Sequence, residues 1–199
     1  NVSSYLVLLD VLDGRRNDIS AEKLMKIVQD CQTDVHDFWS AYFYLHFYTV
    51  NTAKLSENVW KEAEKMLEQI QKYPQKEEYQ KLVEADRINL YEREAEKGDD
   101  RKFLEETDRV FKENLKGDPA WKLYERKLVY LESKQPDISR EFERFLKKYP
   151  KVMDVYVEYS IYLCRNNKMT QAQRVYREGR KRTGMTSKRA EELRRKLGL

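Results

Sequence analysis

The side chains that could do chemistry are few and scattered. The two histidines, His36 and His46, stand ten residues apart, which on a helix sets them about 80° away from a shared face. A metal pair or a catalytic dyad needs convergent rings, so both read as packed or surface histidines. Cys31 and Cys164 belong to no CxxC or Cys/His cluster, so neither a zinc site nor a disulfide framework is expected. The acids Glu92, Glu94, Glu96, Asp99 and Asp100 are dense enough for an acid and base pair to be imagined among them. They alternate, however, with Lys and Arg at the i,i+3 and i,i+4 spacings of a solvated helix face. Six dispersed glycines, Gly14, Gly98, Gly117, Gly179, Gly184 and Gly198, build no phosphate-cradling loop and each reads as helix punctuation. The expectation is a protein that is not an enzyme and needs no metal or cofactor.

What could position side chains in this chain is helix. Of its 199 residues 37% are charged while only 6 are Gly and 4 Pro, a balance unusual for sheet-rich folds and normal for helical ones. The 14 Tyr, 7 Phe and 3 Trp argue against disorder, because large rings bury enough apolar surface to offset chain entropy. No apolar run approaches the ~18 residues of a membrane span, and unpaired cysteines suit a reducing compartment; a soluble, intracellular protein without a membrane partner is expected.

The helices repeat. Trp39-x-x-Tyr42, Trp121-x-x-Tyr124 and Tyr156-x-x-Tyr159 each place two rings on one face of a helix. Amphipathic second helices follow at Val59–Ile70, at Phe142–Leu146 and at Ala172–Tyr176, and two close on the same tripeptide, Lys72-Tyr73-Pro74 and Lys148-Tyr149-Pro150, where Pro forbids continuation. Between them, Tyr79 to Tyr91 ending at Gly98 and Phe103 to Leu115 ending at Gly117 form a degenerate pair. Asp118 is expected to cap the next helix, with Pro119 at its first position. Upstream, Tyr5–Leu12 and Ser20–Gln32 pair across Asp13-Gly14, with Ser20 capping. The expected fold is all-α: one helical-repeat domain over residues 1–199, a right-handed α-solenoid of about five antiparallel hairpins, with 187–199 a charged capping helix. A fragment of a longer protein is the other reading of this domain.

On these residues the chain resembles the HAT (half-a-TPR) repeat family of the tetratricopeptide-like superfamily. The resemblance rests on Tyr156-Val-Glu-Tyr159 with Gln171-Ala172-Gln173-Arg174-Val175-Tyr176-Arg177-Glu178, and on Trp121-Lys-Leu-Tyr124 with Phe142-Glu143-Arg144-Phe145 and Pro150. The Trp39 unit matches in its first helix, and the Tyr79 unit only in period and amphipathicity. The resemblance implies a scaffold for protein–protein interactions in an RNA-processing complex (mRNA splicing, 3′-end formation or rRNA maturation), nuclear in location. The alternatives are a TPR-like adaptor outside RNA biology, such as a kinetochore or chaperone adaptor in the cytoplasm, and a direct RNA-binding module.

Two sets of residues are candidates for contact. The rings Phe38, Trp39, Tyr42, Phe43, Tyr44, Phe47 and Tyr48 circle nearly a whole helix. Core on both flanks is one reading; a partner-binding aromatic patch at Tyr44 and Tyr48 is the other. The second set is Arg174, Arg177, Arg180, Lys181, Arg182, Lys188, Arg189, Arg194, Arg195 and Lys196. With three glutamates among them they carry a local charge of +7, leaving −3 for the rest of a chain whose formal charge is +4. They read as a solvated cap, as an RNA or phosphate contact, or as a contact for an acidic partner or for nuclear import. Only Leu193 and Leu197 are seen to cover the ring-rich last hairpin, so a homodimer stands at even odds with a monomer.

Overall fold

A computed structural model describes residues 2–34, 38–51, 57–73, 77–113 and 116–199. Among the described residues it is all-helical, with α1 Val2–Leu12, α2 Ala21–Asp34, α3 Phe38–Asn51, α4 Glu57–Ile70, α5 Glu77–Glu96 and α6 Arg101–Glu113. They are followed by α7 Gly117–Glu132, α8 Ser139–Lys148, α9 Met153–Arg165, α10 Met169–Thr183 and α11 Lys188–Lys196. His36, Pro74 and Leu115, and the side chains of Tyr5, Val59, Trp60 and Tyr79, lie outside the described set. The chain divides into two compact units, Asn1–Phe103 and Leu104–Leu199.

In the first unit α3 packs against α2, α4 and α5. It has neighbours on several sides, which is why its rings follow no single stripe: a helix enclosed by others is apolar all round. Phe43 and Leu45 are fully buried, on different faces of the same helix. In the second unit α9 takes the central place, against α8, α10 and α11. The expected repeat positions are buried here: Trp121, Tyr124, Tyr156 and Tyr159 all belong to the core. Trp121 meets Phe145 edge-on at 5.2 Å, and Tyr159 stacks on Phe142 at 4.7 Å. Tyr42 in the first unit is buried as well, whereas Trp39 is only partly so.

Local chemistry sets the helix ends. Ser20 caps α2, its Oγ accepting from the Lys23 N–H at 3.3 Å, and Ser187 caps α11 by accepting from Ala190 N–H at 3.2 Å. Gly184 ends α10 in the left-handed region (φ 82°), its N–H bonded to the Arg180 carbonyl at 2.9 Å. The expected cap of α7 is corrected: the cap position is Lys116, without a side-chain bond, and Asp118 lies in the first turn, where its charge favours the helix dipole. Gly117 and Gly179 are likewise not punctuation. Gly117 opens α7 where a Cβ would strike Val152 and crowd Tyr149, and Gly179 lies inside α10 where a Cβ would strike Tyr156 and Met185. Both glycines mark close approach of one element to another.

The Lys-Tyr-Pro tripeptide does more than stop a helix. Lys148 ends α8 and donates its ammonium to the carbonyls of Phe111 and Lys112, at 2.5 and 2.9 Å, on the last turn of α6. A cation is favoured there by the carbonyls of the helix end and by the dipole.

Candidate functional site

Tyr44 and Tyr48 are not an open patch. They are 5% and 3% exposed, stacked at 4.3 Å, with their hydroxyls 2.5 Å apart, and Gln29 of α2 donates to the Tyr48 hydroxyl at 3.5 Å. Burial and the Tyr48 hydroxyl push the Tyr44 pKa well above its ordinary value. The expectation of a partner-binding patch at these two residues gives way to a packing role, since α2 and α4 close over the flanks of α3.

His46 is held rather than free. Its Nδ1 lies 3.0 Å from Oδ1 of Asp86 on α5, and Thr49 donates to the same oxygen at 2.9 Å. Asp86 is 1% exposed, so these bonds compensate a buried carboxylate. Among the acids seen as a solvated face, Glu94 differs: it is buried beside Lys102, 3.4 Å away. Burial, then a hydrogen bond with Glu64, raises its pKa to about 7. Cys164 is half-buried and burial pushes its thiol up, away from the reactive thiolate. No group of three His, Cys, Asp or Glu among the described residues could hold a metal ion, and no described helix is long and apolar enough to cross a membrane.

The basic stretch of α10 and α11 sorts into engaged and uncommitted cations. Arg182 pairs with Glu178, Arg189 with Glu158 on α9, and Arg194 with Glu191 at 2.9 Å. Arg174, Arg177, Arg180, Lys181, Lys188, Arg195 and Lys196 make no ion pair among the described residues, and all of them are exposed. The apolar side of α11 is more complete than Leu193 and Leu197 alone. Ala190 and Met185 are buried with them, and Tyr176 donates to the Ala190 carbonyl at 3.0 Å. Tyr156 and Tyr176 are thereby covered within the chain, and the motive for a homodimer, uncovered rings in the last hairpin, falls away.

Two features of the second unit lie beyond the motifs. One is an ion network joining three helices. Lys127 of α7, 4% exposed, reaches Asp108 of α6 at 2.8 Å and Glu141 of α8 at 2.9 Å. Arg144 joins both acids, and the Tyr124 hydroxyl donates to Glu141 at 2.5 Å. Burial works to raise the pKa of Asp108 and Glu141, but hydrogen bonds and charge from their partners outweigh it and hold both below their ordinary values.

The other is a groove of about 580 Å³, walled by α8 and α10, a volume in the range of ligand sites. Its floor is α9, where burial pushes the Tyr159 hydroxyl up to about 12. Leu146 and Val175 supply apolar surface above the fully buried Leu163, and four cations and three carboxylates supply charge. The local signal for this groove is the spacing that puts Glu143 and Lys147, and Arg174 and Glu178, four apart on facing helices. Compared with protein-family models, with curated proteins and with solved structures, the chain matches none.

Proposed function

We propose that the protein is a non-catalytic helical-repeat scaffold that binds a protein partner within a nuclear RNA-processing assembly. The observation that carries this reading is the pairing of a repeated aromatic frame, Trp121 and Tyr124 then Tyr156 and Tyr159, with exposed cations that the fold does not use. The architecture assigned to this role is the right-handed α-solenoid of helix hairpins, in which each hairpin buries two apolar faces against its neighbours and leaves its outer surface for partners. Resemblance of the two aromatic-led units to HAT repeats supplies the RNA-processing context.

Affinity purification from nuclear extract, followed by mass spectrometry, tests it. A defined set of RNA-processing proteins should be retained by the wild-type chain. Recovery of kinetochore or chaperone components alone, or of no stable partner, would overturn the reading. A second reading, direct RNA contact, is favoured by the neighbouring Arg177 and Lys181 on α10. Reversing both to Glu should then weaken binding to single-stranded RNA and lower its salt slope by close to one unit per lost phosphate contact.

A further inference from the structure

We propose that the groove between α8 and α10 is the docking site for an extended segment of the protein partner that carries acidic residues flanking an apolar one. The proposal deepens, and rests on, the protein-partner reading above. Charge in the groove is unevenly committed. Asp137 accepts from Lys168 at 2.8 Å, Glu178 is paired with Arg182, and Glu143 accepts the Tyr159 hydroxyl at 3.2 Å. Every carboxylate of the lining therefore has a partner from the chain. Lys147 on one wall and Arg174 on the other are exposed and make no ion pair among the described residues.

Two uncommitted cations facing across a trough attract carboxylates and repel a basic segment. Between them the half-buried Leu146 and Val175 offer apolar surface that a bare polyanion would leave wet. Hydrophobic anchoring with charged flanks is how a short segment obtains both affinity and register. RNA is the less suited occupant, because no exposed ring in the lining offers its bases a stacking platform: Tyr156 and Tyr159 are buried and bonded to Pro150 and Glu143.

Selection of a displayed library of random twelve-residue peptides on the full chain tests the proposal. Enriched peptides should carry Asp or Glu on both sides of Leu, Ile or Phe, and a labelled peptide from the selection should bind at least tenfold more weakly to Lys147→Glu/Arg174→Glu. The control reversal Lys122→Glu/Lys134→Glu, at exposed positions outside the groove, should change that affinity less than twofold, with circular dichroism reporting that both variants fold. No enrichment, enrichment of basic peptides, or equal binding by the groove variant would overturn the docking site. So would displacement of the peptide from the groove by a twelve-nucleotide oligouridine at lower concentration than unlabelled peptide. The two readings fail separately. If RNA-processing partners co-purify equally with Lys147→Glu/Arg174→Glu, the scaffold stands and the groove does not. If the peptide binds as expected but no such partner is retained, the groove stands and the assembly does not.

Discussion

Replacing Lys127 with methionine isolates the charge at the centre of the second unit. Methionine keeps most of the buried aliphatic stem, so the apolar contribution changes little, while two contacts of 2.8 and 2.9 Å to Asp108 and Glu141 disappear. Breaking a fully buried pair costs about 3–5 kcal/mol. Here Asp108 and Glu141 are partly exposed and Arg144 remains 3.1 and 3.6 Å from them, which lowers the expected loss to about 2–3 kcal/mol. Loss of the cation 5.1 Å over the Tyr124 ring lies within that figure. Equilibrium urea unfolding of the full chain, followed by helical circular dichroism, measures it. The pH dependence gives a second reading. Both acids have folded pKa values depressed below their ordinary 3.8 and 4.5. Their stabilisation is therefore present above about pH 4.5 and is lost as pH falls through the lower folded values. Lys127→Met should flatten this acid-side decline. A loss under about 0.5 kcal/mol with an unchanged acid limb would refute the account, placing Lys127 with surface pairs of little net worth.

Two further outcomes follow from the packing. Glu94 has a folded pKa raised to about 7 from an ordinary 4.5, through burial and then its bond with Glu64, so its contribution is present below pH 4.5 and lost as pH rises through 7. Glu94→Gln should stabilise the first unit at pH 8 by roughly 1–2 kcal/mol and leave it nearly unchanged at pH 5, as read by thermal unfolding at the two pH values. Gly179→Ala places a methyl against Tyr156 and Met185 and should cost about 1–3 kcal/mol in the same urea assay; a neutral result would mean that α10 can shift away from α9 freely.

Helix class was legible because its signals are local. Ser20 and Ser187 announce helix starts within four residues, and Gly184 an end within five. The aromatic pairs at 121 and 124 and at 156 and 159 needed only helical spacing to be placed in a core. The rest depends on neighbours that spacing does not name. Tyr44 and Tyr48 looked like an exposed excess because periodicity cannot separate a helix with an open aromatic side from one enclosed by other helices. Gly117 and Gly179 resembled punctuation because close approach is a property of two elements, not one. Lys127, Asp108 and Glu141 carry charges at ordinary solvated spacings, and only the meeting of α6, α7 and α8 reveals that the lysine is inside. The groove, built from three helices, has the same character.

The enclosure of α3 has a consequence for rotational uniqueness. A helix with a single apolar stripe is oriented by that stripe, since any rotation about its axis exposes rings to water. In α3 most orientations would present an apolar side chain to each neighbour, so burial alone discriminates weakly among them. What discriminates are polar contacts with fixed addresses: His46 and Thr49 to Asp86 of α5, and the Tyr48 hydroxyl to Gln29 of α2. Any rotation strands the Asp86 carboxylate in an apolar interior, an expensive state for a charge. These bonds act as the detents of a cylinder that grease alone would let turn, and they give the ring-rich helix one orientation among several of nearly equal burial.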